Sequence, residues 1–274
     1  MNEDINTKYE RLKKILASYG KVVISFSGGV DSTFLLCVAK QVLGGNMLAV
    51  TASLNSCPQK ELEFAKDFCK EQDIKHKICE IDELSIEGFS DNPPNRCYIC
   101  KKVIFNSFLE CAHKEGFEYV CEGSNLDDEG DYRPGLVAIK ELGIKSPLKE
   151  SGLTKADIRA LSKDLKLPTW DKPSYACLSS RFVYGEKITK EKLMMVERAE
   201  ELLHSLGFVQ ARVRIHGLMA RVEVMPEDFG KIVEEEIRKK IVEAFSQYGF
   251  SYTSLDLKGY RTGSMNEMLN KAIH

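Results

Sequence analysis

The chain has 274 residues, 43% of them hydrophobic, and its 39 Lys+Arg against 41 Asp+Glu leave a formal charge of −2. That balance supplies no global field to draw the protein to nucleic acid or to an anionic membrane. No apolar run reaches the roughly 20 residues that span a bilayer, and the length suffices for one large domain or a domain with a smaller partner.

In chain order, apolar spacing at Tyr9, Leu12, Ile15 and Leu16 predicts an amphipathic helix over 7–19, and KVVISF then reads as a buried strand ending in glycines. The theme repeats: helix 31–43, strand 47–52, helix 58–72, strand 75–81, helix 101–115, strand 117–122 and helix 134–142. Strands alternating with helices predict an α/β fold, a parallel sheet with helices on both faces. Thr154, with Asp157 three residues on, reads as the cap of a further helix that Leu167-Pro168 closes. Past residue 185 the order becomes helix 189–206, strands 208–216 and 219–225 joined at His216-Gly217, helix 227–248 and strand 251–257. This predicts two domains, 1–184 and a smaller α+β domain over 185–274. The least regular stretch, 84–100, carries Gly88, Pro93 and Pro94 and is expected to be a long surface loop.

Nine cysteines are the compositional oddity. Their odd number, their single placement in apolar stretches and an N-terminus without a basic-then-apolar leader point to a reducing, cytoplasmic setting. Cys37, Cys69, Cys111 and Cys121 read as small core side chains.

Ser27-Gly28-Gly29-Val30-Asp31-Ser32 falls where the first strand stops and a helix begins, where free N–H groups and the helix dipole attract an anion. The glycine pair alone serves equally for a plain turn. The loop lacks the lysine of a GxxxxGK[ST] motif, and Asp31 suits a Mg²⁺ held against phosphate oxygens. The full SGGVDS resembles the pyrophosphate loop of the PP-loop ATP pyrophosphatases, which implies an adenine nucleotide alpha hydrolase-like fold. It also implies cleavage of ATP to AMP and pyrophosphate, with transfer of AMP to a substrate oxygen.

Further segments are Glu122-Gly123-Ser124-Asn125 with Asp127-Asp128, Asp131-Tyr132-Arg133-Pro134-Gly135 and Ser146-Pro147-Leu148, then Trp170-Asp171-Lys172-Pro173, Cys177-Leu178-Ser179-Ser180-Arg181 and Gly259 to Glu267. With the loop they resemble the LarE family of ATP-dependent sulfur transferases, over nearly the whole chain. The resemblance implies a small substrate, pyridinium-3,5-biscarboxylic acid mononucleotide, whose carboxylates become thiocarboxylates for the nickel-pincer nucleotide cofactor. It implies ATP and Mg²⁺ as cofactors, a homo-oligomer, and neither a nucleic-acid nor a membrane partner.

Cys97-Tyr98-Ile99-Cys100 places two thiolates near enough to share one metal centre, and Cys177 would make a third. This resembles the LarE group in which three cysteines hold a [4Fe-4S] cluster that takes sulfur from a sulfide or persulfide donor. Another group instead sacrifices a single cysteine at the position of Cys177. Zinc and a thioredoxin-like redox pair are the other readings of CxxC; a redox pair belongs at a helix start after a strand, while this motif ends a Pro-rich loop, and zinc wants a fourth ligand where no His lies near.

For the site the sequence gives Asp31, Cys177 and Arg181 as catalytic residues. The nucleotide falls to Ser27–Ser32, Ala52, Ser53, Gly123 and Asn125, since open parallel sheets bind ligands at strand ends. Arg133, Arg181, Arg212 and Arg214 are assigned to substrate anions. On strand 209–216, Val209, Ala211, Val213 and Ile215 face one way and Gln210, Arg212, Arg214 and His216 the other; that second face reads as an anion surface or as a solvated one. Arg133 reads as a ligand contact or a surface arginine, Trp170 as packing anchor or stacking platform, and Arg261 and Asn266 as a closing tail or a frayed one.

Overall fold

The computed structural model describes residues 4–128, 134–173, 177–261 and 264. By contacts they form two compact units, one from the described parts of Met1–Asp82 and Asn95–Tyr175, the other from those of Glu83–Pro94 and Ala176–His274.

The first unit runs α1 (Ile5–Tyr19), β1 (Val22–Ser25), α2 (Val30–Leu43), β2 (Met47–Ser53), α3 (Gln59–Glu71), β3 (His76–Glu80), α4 (Arg96–Lys114), β4 (Tyr119–Cys121), α5 (Pro134–Glu141), α6 (Pro147–Glu150) and α7 (Lys155–Asp164). Its sheet is parallel throughout, in the order β3-β2-β1-β4. Period-two alternation splits the apolar strand residues between two layers. Val22, Ile24, Met47 and Ala49 pack with residues of α1, α2, α3, α6 and α7. Val23, Leu48 and Val50 pack with residues of α4 and α5. β1 and β2 are therefore buried on both faces, which is why they read as continuous apolar runs. Thr154 and Asp157 form the reciprocal capping box that starts α7.

The second unit contains α8 (Lys190–Ser205), β5 (Ala211–His216), β6 (Met219–Val224), α9 (Phe229–Val233), α10 (Glu235–Tyr248) and β7 (Tyr252–Leu255). The sheet order is β5-β6-β7, antiparallel then parallel. The sequence reads one helix over 227–248, but extended backbone at Glu234 (φ −52°, ψ 138°) divides it. Glu235 and Glu236 then occupy the first turn of α10, where the helix dipole favours them.

Residues 84–100 are not the expected surface loop. Phe89 and Asn92 are fully or almost fully buried. Asn92 Nδ2 donates to Val183 O at 2.7 Å, and the N–H groups of Gly185 and Ile188 donate to Asn92 and Ser90 carbonyls. Pro93-Pro94 ends this buried piece, and α4 begins two residues later, taking Cys97 and Cys100 into its first two turns. The glycine and prolines there are punctuation between two packed segments.

Candidate active site

In the first unit, the connections from β1 lead to β2 on one side and, later, to β4 on the other, so the ends of β1 and β4 flank a topological switch point, where open sheets bind ligands. A cavity of about 560 Å³ lies there, lined among others by Ser27, Gly29, Asp31, Ser32, Gly123 and Asn125. The loop closes on itself: Ser27 N donates to Ser32 Oγ at 3.2 Å, the two hydroxyls lie 3.1 Å apart, and Thr33 Oγ1 donates to Gly29 O at 2.8 Å. Gly28 adopts φ +74°, a conformation open to glycine, with the space for a Cβ already taken by Phe64 at 3.0 Å. Gly29 caps α2, whose first-turn N–H groups have no intrahelical acceptor and are available to an anion. Val30 turns down into the core.

Gly123 lets the β4 end approach this helix start, since a Cβ there would stand 3.2 Å from Ser32 N and 3.3 Å from Asp31 Cβ. Glu122, buried beside it, accepts from Ser124 N at 2.9 Å and Ser124 Oγ at 2.7 Å, and from Ser146 Oγ. Those bonds fix the turn that delivers Asn125, whose amide donates to Asp31 at 3.5 Å. Ala52 lines the cavity together with Thr51 and Leu54, on either side of Ser53. Cys57 lines it as well.

Asp31 is ion-paired with Lys155, a residue the sequence reading missed. Burial pushes the Asp31 carboxyl above its usual range, opposed by the charge and hydrogen bond of Lys155. Lys155 is the first residue of α7, where a cation opposes the helix dipole; that unfavourable placement was the signal available in the sequence. Its backbone N–H is held by Asp127 at 2.8 Å. Asp31, Asp127 and Asp128 bring carboxylates to the cavity lining, though they do not gather into one group.

In the second unit, both faces of β5 are buried, so the solvated-face alternative for Arg212 and Arg214 does not hold. Val209 falls outside the strand, 72% exposed, and does not share the inward face of Ala211, Val213 and Ile215. Arg214 is clamped by Glu223 at 2.9 and 3.1 Å and donates to Ser180 O and Ser264 Oγ. Arg181, 1% exposed, makes a two-pronged pair with Glu200 at 2.8 Å on each prong. It also donates to Ser180 Oγ at 2.8 Å and to Cys177 O at 3.4 Å. Arg212 donates to Ala211 O and lies 5.5 Å from the Tyr260 ring centroid. Burial, then the charge of Arg181, pushes its guanidinium below the usual range. Arg221 and Arg261 pair with Asp256 at 3.4 and 3.7 Å. Among the described residues, guanidinium groups outnumber carboxylates in this cluster, a composition that suits a ligand with several negative charges. Arg133 and Asn266 lie outside the described residues.

Cys177 is exposed and caps a short 3-10 turn over Leu178–Arg181. Cys97 is exposed and Cys100 half-buried, one helical turn apart on α4, with Arg96 Nη2 3.9 Å from the Cys97 sulfur. Because the pair opens a helix, the loop argument against a redox pair falls away. Cys37, Cys69 and Cys121 are buried, and burial pushes the Cys37 and Cys69 thiols up to about 11 and about 12. Cys111 is only half-buried and, like Cys79, packs against the core layer of α4 and α5. Among the described residues, no three His, Cys, Asp or Glu side chains gather as a metal-holding group, and no helix is long and apolar enough to cross a membrane.

A parallel sheet whose switch point carries an SGGVDS loop over a helix start defines a PP-loop nucleotide-binding domain. In agreement, residues 21–91 match the family model of the queuosine biosynthesis protein QueC. An uncharacterised protein of Synechocystis is 42% identical over 97% of this chain and 100% of its own length. The pyridinium-3,5-bisthiocarboxylic acid mononucleotide synthase of Lactiplantibacillus plantarum is 36% identical over 97% of this chain and 96% of its own. A tRNA-5-methyluridine(54) 2-sulfurtransferase of Pyrococcus horikoshii is 31% identical over 43% of this chain and 39% of its own. The chain belongs to the LarE family of ATP-dependent sulfurtransferases.

Proposed function

We propose that this enzyme converts the ring carboxylates of pyridinium-3,5-biscarboxylic acid mononucleotide to thiocarboxylates in nickel-pincer nucleotide cofactor synthesis. The observation that carries the reading is the near-full-length similarity to the L. plantarum synthase. It is supported by the nucleotide-sized cavity of the first unit and the arginine-rich cluster of the second. A carboxylate oxygen attacks the α-phosphorus of ATP and pyrophosphate leaves. Hydrosulfide then adds to the acyl carbon, and AMP departs with the original oxygen as a proton is released. The loop and the α2 N–H groups hold the polyphosphate, and Asp31, freed from Lys155, would hold Mg²⁺. Arg181, Arg212 and Arg214, with Arg133, are assigned to the phosphate and carboxylates of the pyridinium nucleotide. The setting is cytoplasmic and the enzyme a homo-oligomer.

For the sulfur, Cys97, Cys100 and Cys177 would hold a [4Fe-4S] cluster. The donor chemistry fits: these three thiols are at least partly exposed, while Cys37, Cys69 and Cys121 are buried. When bound, the cluster would supply an iron without a protein ligand, on which sulfide could be held for transfer. Anaerobically purified protein is expected to carry about four irons and matching acid-labile sulfide per chain, lost in C97S, C100S and C177S. Colourless, iron-free protein that loses one sulfur at Cys177 on turnover would establish the sacrificial route in its place. Pyrophosphate release that depends on tRNA and not on the pyridinium nucleotide would move the substrate to that of the tRNA sulfurtransferases.

A further inference from the structure

The Trp170–Pro173 segment has no part in the chemistry above, yet it is fastened with care. Arg159 on α7 donates to the carbonyls of Trp170 at 2.7 Å and Lys172 at 2.8 Å, and the Lys163 ammonium lies 4.8 Å from the Trp170 ring centroid. From this fixed backbone Lys172 reaches the phosphate loop. Its ammonium donates to Gly28 O at 3.0 Å and Glu61 Oε2 at 2.8 Å, and stands 4.3 Å from the Phe64 ring centroid. Both ion-pair side chains are largely shielded, at 18% and 14% exposed.

The bond to Gly28 O matters because of what it does to the next N–H. In a trans peptide the carbonyl and the N–H point in opposite directions, and the chain has no cis bond among its described residues. Holding Gly28 O on Lys172 turns the Gly29 N–H away from Lys172, and Gly29 is a cavity-lining residue at the cap of α2. With glycine on both sides, the plane of this peptide meets little steric resistance to turning over. Turned over, it would aim a carbonyl oxygen at bound phosphate.

We propose that Lys172 is a positioning residue that sets the Gly28–Gly29 peptide so that its N–H, and not its carbonyl, meets the polyphosphate of ATP. This rests on the reading of the cavity as the ATP site. Glu61 anchors the ammonium, and Phe64 limits where it can stand.

The test is isothermal titration of ATP and of AMP, with Mg²⁺, into the full chain. K172M is expected to weaken ATP about tenfold, the scale of one charged hydrogen bond, and to leave AMP within about twofold because its single phosphate does not reach the loop. K172R, which keeps a charged donor, is expected to recover most of the ATP affinity. K172M/E61Q separates peptide orientation from the bare charge of Glu61: it is expected to stay as weak for ATP as K172M. Equal loss of ATP and AMP, unchanged ATP binding, or recovery in K172M/E61Q overturns the proposal. If K172M does not fold, E61Q alone is expected to weaken ATP about threefold with AMP unchanged, and unaltered ATP binding there refutes it. Wild-type protein that binds neither nucleotide overturns the site reading together with this inference, whereas binding by wild type beside an unaffected K172M overturns this inference alone.

Discussion

Removing Glu200 tests whether the arginine cluster of the second unit is held by charge pairing. Its carboxylate takes two N–H groups of Arg181 at 2.8 Å and the backbone N–H of Val213 at 3.0 Å, in surroundings where Arg181 is 1% exposed. E200A takes the carboxylate from a buried guanidinium, which costs about 3–5 kcal/mol, and deprives a backbone donor of its acceptor, worth about 1 kcal/mol more. Arg181 then also faces the charge of Arg212 without the carboxylate that moderates both. The expected loss is therefore about 4–6 kcal/mol. With a urea slope of about 2 kcal/mol per molar, the unfolding midpoint of the second unit should fall by about 2–3 M. Replacing both partners with apolar residues, R181M/E200L, should recover most of that loss, because the cost arises from an orphaned charge and not from a missing contact. A midpoint shift below about 0.5 M in E200A, or a double variant as unstable as the single one, would refute the reasoning.

Three further outcomes follow from the same structure. G123A pushes a Cβ against Ser32 N and Asp31 at 3.2–3.3 Å, so calorimetry should find about 1–3 kcal/mol of destabilisation with ATP affinity down about tenfold; G45A, whose Cβ meets nothing within 4 Å, should change neither. T154A removes the cap of α7 and should cost about 1 kcal/mol in urea unfolding. Burial pushes the Glu200 carboxyl up, but the charge and hydrogen bonds of Arg181 outweigh it and hold the group below the ordinary value of 4.5. Its stabilisation is thus complete above about pH 4.5 and is lost as the pH falls through the folded value; an acid-unfolding curve should steepen there, and E200Q should flatten it.

How far this was legible from sequence depends on the range of the interactions. The parallel sheet was readable because apolar runs and strand-to-helix punctuation are local, and SGGVDS and Glu122–Asn125 both fall at strand ends, where the switch point brings them together. Residues 84–100 misled because proline and glycine mark a break in regular structure, not exposure; Phe89 and Asn92 are both buried, and Asn92 bonds to a residue about 90 positions later. The same limit hid the counter-charges. Alternation put Arg212 and Arg214 on one face of a strand, but nothing local says that Glu223 on β6 and Glu200 on α8 turn toward β5, the first to pair with Arg214 and the second to accept from Val213 N. Lys155 and Lys172 are the instructive pair. Each sits in a segment the sequence did single out, Lys155 beside a recognised cap and Lys172 inside WDKP, and each reaches the phosphate loop across more than 120 residues of chain. A lysine's long flexible stem separates where its backbone lies from where its charge acts, so a motif scan finds the segment and only the fold finds the target.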